Sequence, residues 1–160
     1  MPGRISQEGP VLAYGDGGDH DGKAWAISKR LLVVDDQIRT CTVIARVAAA
    51  LGLDTRAVQE PLKATEAYID FAPDVVLLDM IMPEKDGVDV LHEMLLIGLP
   101  TKFILMSGHG DSYIHLARAA AAFHGAEQPA VLSKPFRQAA LVDLLRATLS
   151  MDPACSARRW

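Results

Sequence analysis

Cysteine is scarce in this sequence, and its positions argue against two common ways of stabilising a small fold. Cys41 and Cys155 lie far apart in the chain, and neither belongs to a Cys-x-x-Cys pair. A disulfide framework or a structural zinc site would need closely grouped ligands. Cys41 falls within an apolar helical pattern, so we expect it to be a small core residue.

Long hydrophobic runs and clustered positive charge are also missing. No apolar run approaches the roughly 20 residues that a membrane span needs, and the first residues do not resemble a secretory signal. The formal net charge is −4, whereas surfaces that bind nucleic acid usually carry clustered lysine and arginine. These absences favour a cytoplasmic protein with neither a membrane nor a nucleic-acid partner.

The composition that remains is that of one globular domain with tails. Half of the 160 residues are hydrophobic, which is enough to build a buried core. Residues 1–28 differ, because they contain half of the twelve glycines and the polar run GDGGDHDGK. Such a segment buries too little apolar surface to offset its ordering entropy. We therefore expect a flexible arm over 1–28, a domain over 29–150 and a tail over 151–160.

Short apolar runs alternate with helical patterns throughout the expected domain. The predicted strands are 31–34, 54–58, 74–79, 101–106 and 130–133, and the predicted helices are 38–51, 61–72, 86–97, 112–123 and 138–149. Continuous apolarity in the first, third and fourth strands is typical of strands covered on both faces. The alternation predicts an α/β fold with a five-stranded parallel doubly wound sheet, order 2-1-3-4-5, in a flavodoxin-like three-layer sandwich.

The run VVLLDMIMPEKDG places Asp79 directly after four apolar residues, where an unpaired carboxylate is costly to desolvate. In a doubly wound sheet the ligand site lies at the carboxyl ends of the strands. Asp35 and Asp36 follow the first strand and Asp79 ends the neighbouring third strand, about 4.8 Å away. Three carboxylates so close together favour a hard divalent cation, Mg²⁺ by preference. We therefore expect Asp79 at the rim of the sheet.

Ser107 and Lys134 close the fourth and fifth strands and should reach the same rim. A hydroxyl and an ammonium beside the acidic cluster suit a phosphoryl group, with Asp79 as the nucleophile. Blander interpretations exist for each residue. Asp35 or Asp36 could cap the following helix, Ser107 could be a turn residue, and Lys134 could be a solvated edge lysine. The simultaneous presence of all these residues favours the acidic pocket.

Four segments, LLVVDD, VVLLDMIMPEKDG, LMSG and LSKPF, occur in this order between residues 31 and 136. Together they resemble the receiver domains of response regulators, as in chemotaxis and two-component signalling. The resemblance implies that Asp79 accepts a phosphoryl group from a histidine kinase or a histidine phosphotransfer protein. It also implies that Asp36, Asp79 and the backbone carbonyl of Ile81 ligate Mg²⁺, while Asp35 acts through water.

The same resemblance assigns the remaining pocket residues. Ser107, Lys134 and the backbone amides of Ile81 and Gly108 would hold the phosphoryl oxygens. The Lys134–Pro135 peptide would be cis, a conformation found in a small minority of X–Pro bonds. Gly87 would allow the turn that starts the third helix. Self-phosphorylation and slow hydrolysis, both dependent on Mg²⁺, would be the only chemistry.

Three features depart from the family pattern. Val131 occupies the switch position, where the family usually carries tyrosine or phenylalanine. The segment HLARAAAAFHGAEQPA lengthens the fourth helix and its exit loop relative to the family. The chain also ends shortly after the last helix, and we expect a stand-alone regulator that signals through protein contacts, with no output domain. A homodimer through the last two helices is left open.

Two other functions compete with a phosphorylated switch. A constitutive interaction module would keep the pocket but not change conformation, and Val131 motivates that alternative. A magnesium-dependent aspartyl phosphatase is disfavoured, because VVDDQ lacks the Asp-x-Asp spacing of those enzymes. His109 lies close enough to Ser107 to border the pocket. The histidines at positions 20, 92, 115 and 124 are expected on the surface, without ligand spacing among them.

Overall fold

The computed structural model describes residues 28–108 and 111–150, and in this part of the chain a parallel sheet lies between two layers of helices. The strands are β1 (Arg30–Val34), β2 (Asp54–Val58), β3 (Val75–Asp79), β4 (Lys102–Ser107) and β5 (Ala130–Ser133). They are all parallel and follow the order β2-β1-β3-β4-β5. The predicted fold class and strand order are confirmed. The expected arm up to residue 27, the expected tail and His109 lie outside the described residues.

Five α-helices connect the strands, and the ends of several follow from local sequence. They are α1 (Ile38–Ala50), α2 (Ala64–Phe71), α3 (Gly87–Ile97), α4 (Asp111–Phe123) and α5 (Gln138–Thr148). Asp86 caps α3 by accepting a hydrogen bond from the Asp89 amide at 3.0 Å, and Gly98 ends the helix with a φ of 73°. No helix among the described residues is long and apolar enough to span a membrane.

The helix predicted over 61–72 is divided in two. A 3₁₀ turn covers Pro61–Lys63, and α2 follows it. Proline fixes its own φ and suits the first turn of a helix, which explains the start at Pro61. The end is set by Pro73, because the residue before a proline is disfavoured in the helical conformation. Ala72 accordingly adopts a left-handed conformation with a φ of 47°.

Alternate residues of the central strands enter two separate apolar cores. In β3, Val75 and Leu77 face the side covered by α1 and α5, whereas Val76 and Leu78 face α2, α3 and α4. All four side chains are fully buried, and burying each contributes roughly 1.5–3 kcal/mol. This two-sided burial explains the uninterrupted apolar runs. Cys41 is buried in the first of these cores, as expected, and its thiol lies 3.3 Å from the carbonyl oxygen of Asp35.

The end of α4 makes a contact that the sequence did not indicate. His92 of α3 and His124, directly after α4, were expected on the surface without ligand spacing, and in the structure His92 is exposed and His124 is half-buried. Their rings meet, with His124 Nε2 3.3 Å from His92 Nδ1. Burial of Ile114, Ala117 and Ala121 places one face of α4 in the same core as α3, and this packing brings the two imidazoles together.

Candidate functional site

Strand register places the acidic residues side by side at the carboxyl end of the sheet. Val34 of β1 pairs with Leu78 of β3, so the next residues along each strand are Asp35 and Asp79. Asp35, Asp36 and Asp79 each offer a carboxylate oxygen, and these oxygens all lie within 4.8 Å of one another. The structure thus brings the three predicted carboxylates into one cluster.

The three carboxylates differ in their contact with solvent. Asp35 is 0% exposed and Asp79 is 5% exposed, while Asp36 is half-buried. Asp79 therefore ends a buried strand at the rim of the sheet, where its carboxylate is largely removed from water. One oxygen of Asp35 accepts a hydrogen bond from the Gln37 amide at 2.8 Å. The helix-cap interpretation of the acidic pair is wrong, because the N-cap of α1 is Gln37.

Lys134 joins the cluster from the end of β5. Its ammonium nitrogen lies 2.7 Å from Asp35 Oδ2 and 3.2 Å from Asp79 Oδ2. The side chain is 20% exposed, so its charge is neutralised mainly by the two aspartates rather than by water. The peptide bond between Lys134 and Pro135 is cis. A solvated edge lysine, the alternative interpretation, does not describe this residue.

The pKa shifts in the cluster follow from burial and from the charges of the neighbouring groups. Burial, and then the neighbouring Asp35 carboxylate, raise the pKa of Asp79, and Lys134 offsets this only in part. Burial lowers the pKa of Lys134, but its hydrogen bond to Asp35 and the charges of both aspartates raise it above its usual value overall. The ammonium stays charged at neutral pH. Three carboxylates face one ammonium, and the carboxylate oxygens are hard donors. This arrangement fits a divalent cation such as Mg²⁺.

The loop between β3 and α3 is held close to Asp79. The Ile81 amide donates to Asp79 Oδ1 at 3.3 Å, and the Gly87 amide donates to the Met80 carbonyl at 3.0 Å. A Cβ atom on Gly87 would collide with the Asp79 carbonyl oxygen and would lie 2.7 Å from Met80 Cα. Gly87 is therefore needed because the backbone approaches it closely. Its φ is not positive, so a left-handed conformation is not the reason for a glycine here.

Ser107 and Gly108 complete the rim on the other side of Asp79. Ser107 pairs with Ser133 of β5, and its carbonyl accepts a hydrogen bond from the Lys134 amide at 2.8 Å. Gly108 is exposed and adjacent: a Cβ placed on it would lie 3.8 Å from Lys134 Cβ. The register of β4 and β5 thus brings these residues to the end of the sheet that carries Asp79.

Val131 lies inside β5, opposite Leu105 of β4. It is half-buried and packs against the core shared by α2, α3 and α4. Receiver domains, which this chain resembles in sequence, usually carry an aromatic side chain at this position. This chain has a smaller, β-branched side chain instead. Any conformational coupling to Ser107 must use groups other than an aromatic ring at residue 131.

One polar network beside the site was not foreseen from the sequence. Lys85, in the loop after β3, forms an ion pair with Glu93 of α3. The Thr65 hydroxyl of α2 donates to the other oxygen of Glu93. These two hydrogen bonds lower the pKa of Glu93. The network connects the loop that contains Ile81 to α2 and α3. In the sequence, this contact is indicated only by the opposite charges of the loop lysine and the α3 glutamate.

Comparisons with known proteins agree with this fold. The family model described as response regulator receiver domain matches residues 31–146. The chemotaxis protein CheY of Bacillus subtilis is 29% identical over 125 residues, which cover 78% of this chain and 100% of that protein. The regulatory protein AtoC of Escherichia coli is 34% identical over 82 residues, or 51% of this chain and 18% of AtoC.

A solved structure supports the same fold. A CheY-like response regulator receiver domain protein from Methanospirillum hungatei superposes with a TM-score of 0.67 at 18% identity, covering 77% of this chain and 94% of that one. At this identity the likeness concerns the fold alone. The family model, in contrast, covers most of the sequence and all of the residues in the acidic cluster. This chain belongs to the response regulator receiver domain family.

Proposed function

We propose that this protein is a phosphoacceptor response regulator of a two-component phosphorelay, phosphorylated on Asp79 by a histidine kinase or a histidine phosphotransfer protein. Receiver domains in general bind Mg²⁺ and interact with such proteins. One observation carries the proposal: a nearly buried Asp79 lies within 4.8 Å of two further aspartates and 3.2 Å from a lysine ammonium. One ammonium does not balance three clustered carboxylates, and a bound divalent cation would complement the remaining negative charge.

The carboxylates are well placed to hold the metal. Asp36, Asp79 and the carbonyl of Ile81 would ligate Mg²⁺. Asp35, whose oxygens also accept hydrogen bonds from Lys134 and the Gln37 amide, would act through a water molecule. When bound, Mg²⁺ supplies positive charge that offsets the acidic cluster and the incoming phosphoryl oxygens.

Phosphoryl transfer needs a nucleophile and donors for three oxygens. A carboxylate oxygen of Asp79 forms the new O–P bond while the N–P bond of a phosphohistidine breaks and the imidazole leaves. Lys134 neutralises one phosphoryl oxygen, and Ser107 with the amides of Ile81 and Gly108 donates hydrogen bonds to the others. Water later hydrolyses the acyl phosphate and returns the Asp79 carboxylate. The phosphorylated state signals through protein contacts.

Labelling by a small phosphodonor tests this proposal. Incubation with acetyl phosphate and Mg²⁺ should add one phosphoryl group, detected by intact-mass spectrometry, and chelation of the metal should prevent it. Asp79→Asn should remove the modification, because an amide is not nucleophilic. Asp89→Asn is the matched control, since Asp89 is an exposed aspartate on α3 and should still permit labelling. Unchanged labelling of Asp79→Asn would refute the assignment of the phosphoacceptor.

A constitutive interaction module is the second candidate, and the observation that favours it is Val131 at the switch position. Beryllofluoride, a phosphoryl mimic, distinguishes the two functions by amide NMR. A switch predicts shift changes that extend from Asp79 into β5 and α5. Changes confined to the residues around the acidic cluster would favour the module instead.

A further inference from the structure

A second group of metal-ligating side chains lies outside the acidic cluster, on the surface shared by α3 and α4. His92 is exposed on α3, and His124 is half-buried at the end of α4. Their ring nitrogens Nδ1 and Nε2 are 3.3 Å apart, with the ring centroids 5.1 Å apart and the planes inclined by 60°. The Phe123 ring lies edge-on to His124, with the ring centroids 5.3 Å apart.

The distance between the two nitrogens suits a shared metal ion. Metal–nitrogen bonds of about 2.0–2.1 Å at a tetrahedral angle place the two ligand nitrogens roughly 3.3–3.4 Å apart. Without a metal, the same distance is compatible with a hydrogen bond between the rings, in which one imidazole donates and the other accepts. A metal needs only two neutral rings, each directing a lone pair at the ion.

We propose that His92 and His124 form a binding site for a divalent transition-metal ion of the zinc type. Imidazole is a preferred ligand of Zn²⁺, Ni²⁺ and Cu²⁺, whereas Mg²⁺ prefers oxygen. The site is thus chemically distinct from the carboxylate cluster. In the described part of the chain, no group of three candidate ligands includes this pair. Water completes the coordination, leaving open positions and an affinity below that of four-ligand zinc sites.

Metal binding at this pair would join two helices that are otherwise held together by side-chain packing. His92 is in the middle of α3, and His124 begins the connection that runs to Ala130, the first residue of β5. The same strand ends beside Lys134. A bound ion would therefore restrain the end of α4 and the start of this connection relative to α3. This inference does not depend on phosphorylation of Asp79.

Calorimetric titration with Zn²⁺ tests the site, with Mg²⁺ held at saturating concentration to occupy the carboxylates. The wild-type protein should bind one Zn²⁺ at this pair. His92→Ala and His124→Ala should each weaken that binding at least about tenfold, because each removes one of only two protein ligands. His115→Ala is the matched control, since His115 is exposed on α4, and it should bind as the wild type does.

Imidazole NMR of the wild-type protein gives a readout that needs no variant. Zn²⁺ should shift the ring resonances of His92 and His124 together, at the same metal concentration, and leave those of His115 in place. The proposal is overturned if both alanine variants bind Zn²⁺ like the wild type. It is equally overturned if the ion perturbs only amides beside Asp36 and Asp79, since that result places it in the carboxylate cluster.

Discussion

Replacing Lys134 by methionine keeps most of the length of the side chain. Within residues 28–108 and 111–150 it removes the only ammonium in contact with the buried carboxylates. Charges about 3 Å apart attract each other by about 5 kcal/mol at an effective dielectric constant of about 20. Relief of the lysine's own desolvation offsets part of this. Breaking a buried ion pair typically costs about 3–5 kcal/mol, and the 20% exposure of Lys134 favours the lower end. We expect Lys134→Met to lose about 3 kcal/mol of unfolding free energy.

Urea denaturation at neutral pH in the presence of a chelator measures this loss. Lys102→Met serves as the control, because Lys102 is more exposed and its partner Glu127 lies 3.8 Å away. Adding Mg²⁺ should stabilise Lys134→Met more than the wild type, because the variant leaves three carboxylates uncompensated. If Lys134→Met proves as stable as Lys102→Met without metal, the electrostatic account of the cluster is refuted.

Three further predictions concern single residues. The pKa of Asp79 is raised in the folded state, so its contribution to stability is complete at low pH and is lost as the pH rises through that pKa. Asp79→Asn should therefore stabilise the metal-free protein at neutral pH. In urea titrations this gain should shrink as the pH is lowered. Gly87→Ala should lower the free energy of unfolding by about 1–3 kcal/mol or more, because the added methyl group overpacks the site. Gly108→Ala is the control and should not show this loss, because a Cβ there would have no contact under 3.8 Å. Equal losses of unfolding free energy in the two variants would contradict the argument that the backbone approaches Gly87 closely. Burial raises the pKa of Cys41 to about 11. In a Cys155→Ser background, iodoacetamide at pH 8 should therefore label Cys41 only after denaturation. Fast labelling of the native protein would disprove the burial of Cys41.

The fold was predictable because its central strands β1, β3 and β4 are buried on two faces. A sequence such as VVLLD cannot alternate polar and apolar residues when both faces are covered, so the strand is visible as a continuous run. The pocket was predictable for a related reason. Parallel register brings Asp35, Asp79, Ser107 and Lys134 to the same end of the sheet once the strand order is known.

Contacts between helices were less predictable, because they depend on how two helices pack and not on local spacing. His92 and His124 are 32 residues apart, and nothing in either helix alone indicates that their rings meet. The same holds for Thr65 and Glu93, which join α2 to α3 across 28 residues. The division of the helix over 61–72 was missed for a local reason: Pro61 was recognised as a helix start, but the tight first turn it favours was not.

The absence of a side chain at Gly87 has a mechanical consequence for this protein. The first turn of α3 rests on the backbone of Asp79 and Met80 and on the Met80 side chain. A displacement at the end of β3 would therefore press on the first turn of α3 through these contacts. If Asp79 is phosphorylated as proposed, a change there would reach a helix without a rotamer change at residue 131.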